Sequence, residues 1–166
     1  MNKQKEKFTF FWSGVFSQWH IAPMTIRGVK YNCAEQYMMA EKARLFEDTK
    51  HEQLIMESTS PCDQKMFGRV VESFDKDLWE KHCKSIVYIA SWEKYTQNPD
   101  LMEQLVATAG TTIVEASPWD KIWGIGLKAT DPRCLDRNQW LGTNWLGQAL
   151  MRVRDEFIEY GLEDES

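Results

Sequence analysis

The sequence contains no long hydrophobic run. Met1 is followed by the polar residues Asn-Lys-Gln-Lys-Glu-Lys, and the chain has no apolar stretch of about 20 residues, the length that spans a bilayer. An export signal would also require an apolar segment near the N-terminus. We therefore expect a cytoplasmic protein with no membrane partner, in which residues 1–7 are disordered.

Metal-binding patterns are missing as well. The sequence has four cysteines and three histidines, and neither residue type occurs at the spacings that are typical of a metal site. In a protein without an export signal, cysteines this far apart are usually reduced thiols. We expect no metal and no cofactor, so that any catalysis would be metal-independent.

The chain also lacks an excess of positive charge. Its 20 basic residues are outnumbered by 25 acidic ones, which gives a formal net charge of −5. A protein that coats nucleic acid needs a broad surface that neutralises phosphates. The composition therefore excludes that class, although it is compatible with a local basic cleft.

Aromatic residues, in contrast, are abundant, with eight Trp, five Tyr and eight Phe. Such side chains usually fill a core, but some form stacking walls for a flat ligand. The length of 166 residues suits one domain, and no repeat or linker interrupts it. We expect a monomeric, mostly α-helical α+β domain over residues 8–160, followed by an acidic tail over residues 161–166.

The chain is organised around a helix that is predicted over Tyr31–Phe46. The segment is rich in strong helix formers, and Glu35, Met39 and Lys42 fall on one stripe of it. A carboxylate and an amine on an otherwise apolar stripe indicate a face that lines a cleft. An alternative is that Glu35 completes a capping box with Asn32 as the N-cap, while Lys42 extends to solvent.

Glycine and proline signals divide the rest of the chain into short elements. The first part of the chain is predicted to form a strand over Phe8–Trp12 and a hairpin over Thr25–Tyr31 that turns at Arg27-Gly28. A helix capped by Asp77 begins at Leu78, and a strand follows over Thr111–Ala116. After a loop over Ser117–Gly126, a last helix, capped by Thr143 or Asn144, ends at about Tyr160. The loop combines two tryptophans, an acid and two glycines, a composition that is typical of functional loops.

Four pieces of the sequence occur together in a known family. They are Asn-Cys-Ala-Glu-Gln-Tyr at 32–37 with Lys42, Asp-Leu-Trp at 77–79, Ile-Val-Glu at 113–115 with Asp120 and Trp123-Gly124, and Asn-Trp-Leu-Gly at 144–147. In this order and spacing the sequence resembles the NADAR family, the NAD- and ADP-ribose-associated proteins that include the YbiA-like group. The likeness covers roughly residues 8 to 158, and the aromatic strand that ends in Trp12 also suits it.

The resemblance implies a mainly helical α+β domain that hydrolyses N-glycosidic bonds to a ribose. Family members are associated with ADP-ribose attached to guanine in nucleotides or nucleic acid, and with phosphoribosylamino-pyrimidine intermediates of riboflavin synthesis. We expect the first substrate type, an ADP-ribosyl guanine nucleotide, with ADP-ribosylated DNA or RNA as a further substrate. Two alternatives stay open: a non-catalytic reader of NAD or ADP-ribose, and a plain interaction module.

The resemblance also assigns site residues by position. It places Glu35, Trp79, Asp120, Trp123 and Asn144 in a cleft, with Lys42 near them. Breaking a base–ribose bond builds positive charge at C1, which a carboxylate such as Glu35 stabilises, while Asp120 supplies the second carboxylate. Lys42 either binds phosphate or forms a Schiff base with the opened sugar. We favour the phosphate or electrostatic role, because a nucleophilic lysine needs a lowered pKa, which a sequence does not show. The predicted substrate-binding residues are Trp12, Arg27, Tyr37, Trp79, Trp119, Trp123, Gly124 and Asn144.

Overall fold

Within residues 4–164, which the computed structural model describes, far more residues lie in helices than in strands. The elements are β1 (Phe8–Phe11), β2 (Met24–Ile26), β3 (Val29–Tyr31), α1 (Ala34–Leu45), α2 (Thr49–Glu57), α3 (Pro61–Arg69), α4 (Lys76–Thr96), α5 (Pro99–Val106), β4 (Thr112–Glu115), two short 3₁₀ turns (Pro132–Leu135 and Arg137–Gln139) and α6 (Trp145–Asp164). This architecture confirms the predicted mostly helical α+β class.

The chain divides into two compact units. The central unit is Gln18–Pro99, and the terminal unit consists of the described residues before Gln18 and from Asp100 onward. A single domain over residues 8–160 stays a prediction.

The terminal unit is built on a parallel pair of strands, β1 and β4, in which Phe11 lies opposite Glu115. The Ala116 N–H donates to the Phe11 carbonyl at 2.7 Å and extends the ladder by one residue. Val114 packs in a buried cluster with Ile125 and Leu127, so the strand pair and the chain that follows it share a core. Because the strands are parallel, both carboxyl ends lie at the same edge.

Helix α6 packs against β4 through a glycine that has no room for a side chain. A Cβ atom on Gly147 would lie 2.1 Å from the Ile113 carbonyl oxygen, which is backbone and cannot rotate away. We expect Gly147→Ala to lower the free energy of unfolding by at least about 2 kcal/mol through overpacking. Gly161→Ala, in the same helix but with open space around it, is the matched control. Urea denaturation measures both; equal stabilities would contradict this packing.

The ends of the chain differ from the prediction. Glu6 forms an ion pair with Arg137 and accepts a hydrogen bond from Thr112, and the Lys7 carbonyl accepts from the Thr112 N–H at 2.8 Å. The predicted disorder of residues 1–7 is therefore wrong for these two residues, because β4 and Arg137 hold them. At the other end α6 continues to Asp164, past the predicted start of the tail; residues 1–3 and 165–166 lie outside the described chain.

The central unit is arranged around α1, which contacts α2, α3 and α4. Ala40 and Ala43 are fully buried in α1, and such small residues allow close helix packing. Gly68 of α3 meets α1 most closely, since a Cβ atom there would lie 2.0 Å from the Met39 sulfur. The predicted hairpin is confirmed as the antiparallel pair β2–β3.

Two of the predicted helix caps are wrong. The N-cap of α1 is Cys33, not Asn32, and the N-cap of α4 is Asp75, whose carboxylate accepts the Leu78 N–H at 3.0 Å. Asp77 instead lies within the first turn of α4. A capping side chain must reach the N–H group two or three residues ahead; Asp75 is three residues before Leu78, whereas Asp77 is only one.

Candidate functional site

Glu35 lies in the first turn of α1 and is only 5% exposed. It does not close the capping box that its spacing suggested. The Asn32 N–H donates instead to the Gln36 side chain at 2.8 Å, and the Glu35 N–H donates to the Gln18 carbonyl at 3.0 Å. The side chain of Gln36 therefore makes the contact with the Asn32 N–H that the capping-box spacing suggested for Glu35.

Lys42 is half-buried two turns further along α1. Its Nζ atom lies 4.6 Å from the centre of the Phe74 ring and 5.6 Å from that of Trp79. Burial lowers the pKa of the Lys42 amine below its ordinary 10.5, the negative charge of Glu35 opposes this, and the positive charge of Arg69 lowers the pKa further. The amine therefore faces two aromatic rings, which differs from the alternative in which it extends to solvent.

Glu35, Lys42, Arg69, Phe74 and Trp79 form a cluster in the central unit, which we call the Glu35–Lys42 cluster. Glu35 and Lys42 are seven residues apart on one face of α1, a separation of about 10 Å along a helix axis. Trp79, which the resemblance places in a cleft near Lys42, has its ring centre 5.6 Å from the Lys42 Nζ atom, and its contact with substrate stays a prediction.

Phe74 was not predicted from the sequence as a neighbour of Lys42, although its position before a helix N-cap indicated that it packs near Trp79. It directly precedes the N-cap Asp75, and Trp79 is the fourth residue of α4. These are the two positions of a hydrophobic staple, a pair that fixes the entry of the chain into a helix. With the cap assigned to Asp77, the staple was not visible.

Asp120, in the terminal unit, holds its own loop together. Its Oδ1 atom accepts the N–H groups of Ile122 at 2.9 Å and Trp123 at 2.8 Å. Such an Asx turn is a common way of fixing a loop. The structure thus gives Asp120 a local structural role, and its role as second carboxylate stays a prediction.

The loop role of Asp120 can be separated from any catalytic one. We expect Asp120→Ala to lower the free energy of unfolding by about 1–3 kcal/mol, because two N–H groups lose their acceptor. Asp120→Asn keeps an oxygen at that position and should stay within about 1 kcal/mol of the parent protein. Thermal melts of both variants show whether the Oδ1 atom of Asp120 stabilises the loop. Equal destabilisation of the two variants would contradict the Asx-turn role.

Asn144 is 2% exposed, and its side chain is engaged by the backbone of β4. Its Nδ2 atom donates to the Ile113 carbonyl at 2.9 Å, and its Oδ1 atom accepts the Glu115 N–H at 3.0 Å. Nearby, a Cβ atom on Gly124 would lie 2.9 Å from the Glu115 carbonyl oxygen. Both residues therefore position the loop against β4, and their predicted contact with substrate stays a prediction.

Four indoles of the terminal unit divide into two groups. Trp123 packs edge-on against Trp145, with ring centres 5.8 Å apart. Trp12 and Trp119 are 64% and 85% exposed, and they follow the carboxyl ends of β1 and β4. In sheets with parallel strands, ligands bind outside the carboxyl ends, so these two indoles are exposed aromatic surfaces near that edge.

Two predicted substrate contacts lie apart from Glu35 within the central unit. Arg27 is exposed at the turn between β2 and β3, where its φ of 51° fits a tight hairpin. Tyr37 is buried against Tyr31, with ring centres 5.1 Å apart, and burial raises its pKa to about 12. Since Tyr37 is two residues from Glu35, it points to the opposite side of α1.

In residues 4–164, the structure groups no three His, Cys, Asp or Glu side chains in a way that would hold a metal ion. No described helix is both long and apolar enough to cross a membrane.

Known proteins were compared with the chain as a whole. The NADAR domain family model matches residues 6–158, which include parts of both units. N-glycosidase R617 of Acanthamoeba polyphaga mimivirus is 42% identical over 168 residues, covering 92% of this chain and 98% of that protein. Riboflavin biosynthesis protein VVA0006 of Vibrio vulnificus (strain YJ016) is 25% identical over 89% of this chain but only 36% of its own length.

A solved structure shows the same fold. N-glycosidase YbiA of Escherichia coli (strain K12) is 28% identical over 86% of this chain and 81% of its own length. The NMR structure of E. coli YbiA gives a TM-score of 0.79 at 27% identity and covers 96% of this chain and 90% of that one. Two of these relatives are named N-glycosidases, which supports a glycosidase activity here. The chain belongs to the NADAR domain family.

Proposed function

We propose that this protein is an N-glycosidase that hydrolyses a base–ribose bond, with ADP-ribose attached to guanine as the substrate. The observation that carries the proposal is the Glu35–Lys42 cluster. It combines a buried carboxylate with an amine whose pKa is lowered, on one face of α1. Perturbed ionisable groups of this kind are concentrated at active sites.

The reaction needs stabilisation of charge at the ribose. As the bond from C1 to the base nitrogen breaks, positive charge develops at C1 and the ring oxygen. A carboxylate in a water-poor setting stabilises such charge more strongly than one in bulk water. We assign this role to Glu35.

We assign Lys42 the role of an amine that bonds to C1. Its nitrogen lone pair attacks C1 and loses a proton, while the base leaves with the electrons of the broken bond and takes up a proton. Opening of the ribose ring then gives an imine with Lys42 and a free ring hydroxyl. Water hydrolyses the imine, which restores the amine and releases the sugar. The lowered pKa of Lys42 favours this role over phosphate binding, because only the neutral amine is nucleophilic.

A second candidate is cleavage of phosphoribosylamino-pyrimidine intermediates. It is supported by the similarity to the riboflavin biosynthesis protein of Vibrio vulnificus. For the terminal unit, we keep Asp120 as a proposed catalytic carboxylate and the exposed indoles of Trp12 and Trp119 as proposed stacking surfaces for a base.

The test is to incubate the purified protein with ADP-ribosyl guanosine, ADP-ribosylated DNA and the pyrimidine intermediates, and to measure released base or nucleoside by mass spectrometry. We expect release from ADP-ribosyl guanosine that persists in a metal chelator. Preferential release from the pyrimidine substrate would favour the second candidate. Saturable binding of ADP-ribose with no release from any conjugate would overturn the glycosidase proposal in favour of a reader.

A further inference from the structure

Arg69 is a cation without a protein partner. Within the part of the chain that the structure describes, it makes no hydrogen bond and no ion pair. Most of the other arginines form ion pairs with carboxylates; these are Arg44, Arg133, Arg137, Arg152 and Arg154. Arg44 is held by Glu41, Glu52 and the Tyr31 hydroxyl, so it is not available to a ligand. Arginine is suited to binding phosphate through two parallel hydrogen bonds.

The position of Arg69 is fixed by its neighbour Gly68. The absence of a side chain at Gly68 lets the end of α3 approach the Met39 sulfur. Met39 is four residues after Glu35 and three before Lys42 on the same stripe of α1. Arg69 therefore leaves α3 beside the middle of the Glu35–Lys42 cluster.

The Glu35–Lys42 cluster contains two cations, Lys42 and Arg69, and one anion, Glu35. Arg69 lies close enough to Lys42 for its positive charge to act on the Lys42 amine. Glu35 is the anion whose charge acts on Lys42 from the other direction. A bound anion beside Arg69 would remove the repulsion between the two cations while leaving Glu35 available for the reaction.

We propose that Arg69 is a substrate-specificity residue that binds a phosphate ester carried by the reacting ribose. This inference rests on the proposed glycosidase function and deepens it, since it requires the substrate to be a phosphorylated riboside. A phosphate on the ribose is present both in ADP-ribose conjugates and in phosphoribosylamino-pyrimidines, so both substrate candidates satisfy it.

The experiment compares two substrates that differ only in phosphate. Phosphoribosyl guanosine, which phosphodiesterase treatment gives from ADP-ribosyl guanosine, is assayed beside ribosyl guanosine, which phosphatase treatment gives from phosphoribosyl guanosine. Arg69→Gln should lower kcat/KM for the phosphorylated substrate by about 10- to 100-fold, mainly through KM, because a charge-assisted hydrogen bond is lost. It should leave kcat/KM for the dephosphorylated substrate within about twofold, since that substrate makes no such contact. Arg69→Lys should recover only part of the difference, because an ammonium does not bind in a bidentate manner.

The control for overall charge is Lys81→Gln. Lys81 is exposed on α4, two residues after Trp79 and so on the opposite side of that helix. It should not change the ratio of the two kcat/KM values. Equal losses on both substrates for Arg69→Gln, or no loss on either, would overturn the assignment of Arg69. Absence of turnover of every substrate by the parent protein would instead overturn the glycosidase proposal.

Discussion

Glu35→Gln is expected to reduce kcat by about 100- to 1,000-fold, because it removes an electrostatic stabiliser of the developing charge. The fold should remain intact, with the melting temperature within about 4 °C of the parent. The reason is that glutamine has nearly the same shape as glutamate, and the side chain of Gln36 makes hydrogen bonds at the start of α1 that the substitution leaves in place. Release of guanosine from ADP-ribosyl guanosine measures the loss.

The neighbouring residue offers a matched control. Gln36→Ala removes a side chain that joins Asn32 to the carbonyls of Ile55 and Ser58. We expect it to lower the melting temperature clearly while leaving kcat per folded molecule within a few-fold. If the pattern were reversed, with Glu35→Gln active but unstable, the carboxylate would be structural.

Glu35→Gln should also shift the pH dependence of kcat/KM. The Glu35 anion favours the protonated form of Lys42 and therefore raises its pKa. Removing that charge lowers the pKa further, so the rising limb of kcat/KM, which reports the neutral amine, should move to lower pH in Glu35→Gln. A limb that stayed in place would show that the two groups do not interact.

Lys42→Met is expected to lower kcat on the order of 1,000-fold, since no amine remains to bond to C1. Lys42→Arg decides between the two roles of this residue. A guanidinium keeps the charge but is not nucleophilic at neutral pH. We therefore expect Lys42→Arg to be as inactive as Lys42→Met; substantial activity of the arginine variant would assign Lys42 an electrostatic role.

Chemical trapping gives an independent readout of the imine. In the presence of cyanoborohydride and substrate, the protein should gain one ADP-ribose adduct, and peptide mapping should place it on Lys42. Lys94 is the internal control, because burial lowers its pKa to about 7 but it is only 2% exposed. An adduct on Lys94, or labelling of many lysines, would mean that amine reactivity and not site geometry directs the trapping.

The sequence contained most of what positions the Glu35–Lys42 cluster. The spacing of Glu35, Met39 and Lys42 predicted their common face correctly, because helical periodicity is a local property. The residue that caps α1 was harder to predict from the sequence. Asn32 and Glu35 had the spacing of a capping box, yet Gln36 supplies the contact, and its side-chain amide also donates to a carbonyl of α2.

Contacts between distant segments were harder to predict. Nothing local to Asn144 indicates that its amide is held by the backbone of β4, about thirty residues earlier. The role of Gly68 also depends on tertiary packing, because its need for glycine arises from Met39 on another helix. Arg69 also stands out only in the folded protein, because Gly68 beside it packs on Met39, whereas Arg44 is paired with Glu41 and Glu52 and Arg27 lies at the β2–β3 turn.

The most direct test of the central claim is the rate of base release by the double variant Glu35→Gln/Lys42→Met, measured together with both single variants. Two groups that act on the same bond of the same substrate form a catalytic unit, and the loss from removing both is close to the larger single loss. We predict that result. A double variant whose loss is the full product of the two single losses, or one that still releases base at the parent rate, would contradict a shared catalytic role for this carboxylate and this amine.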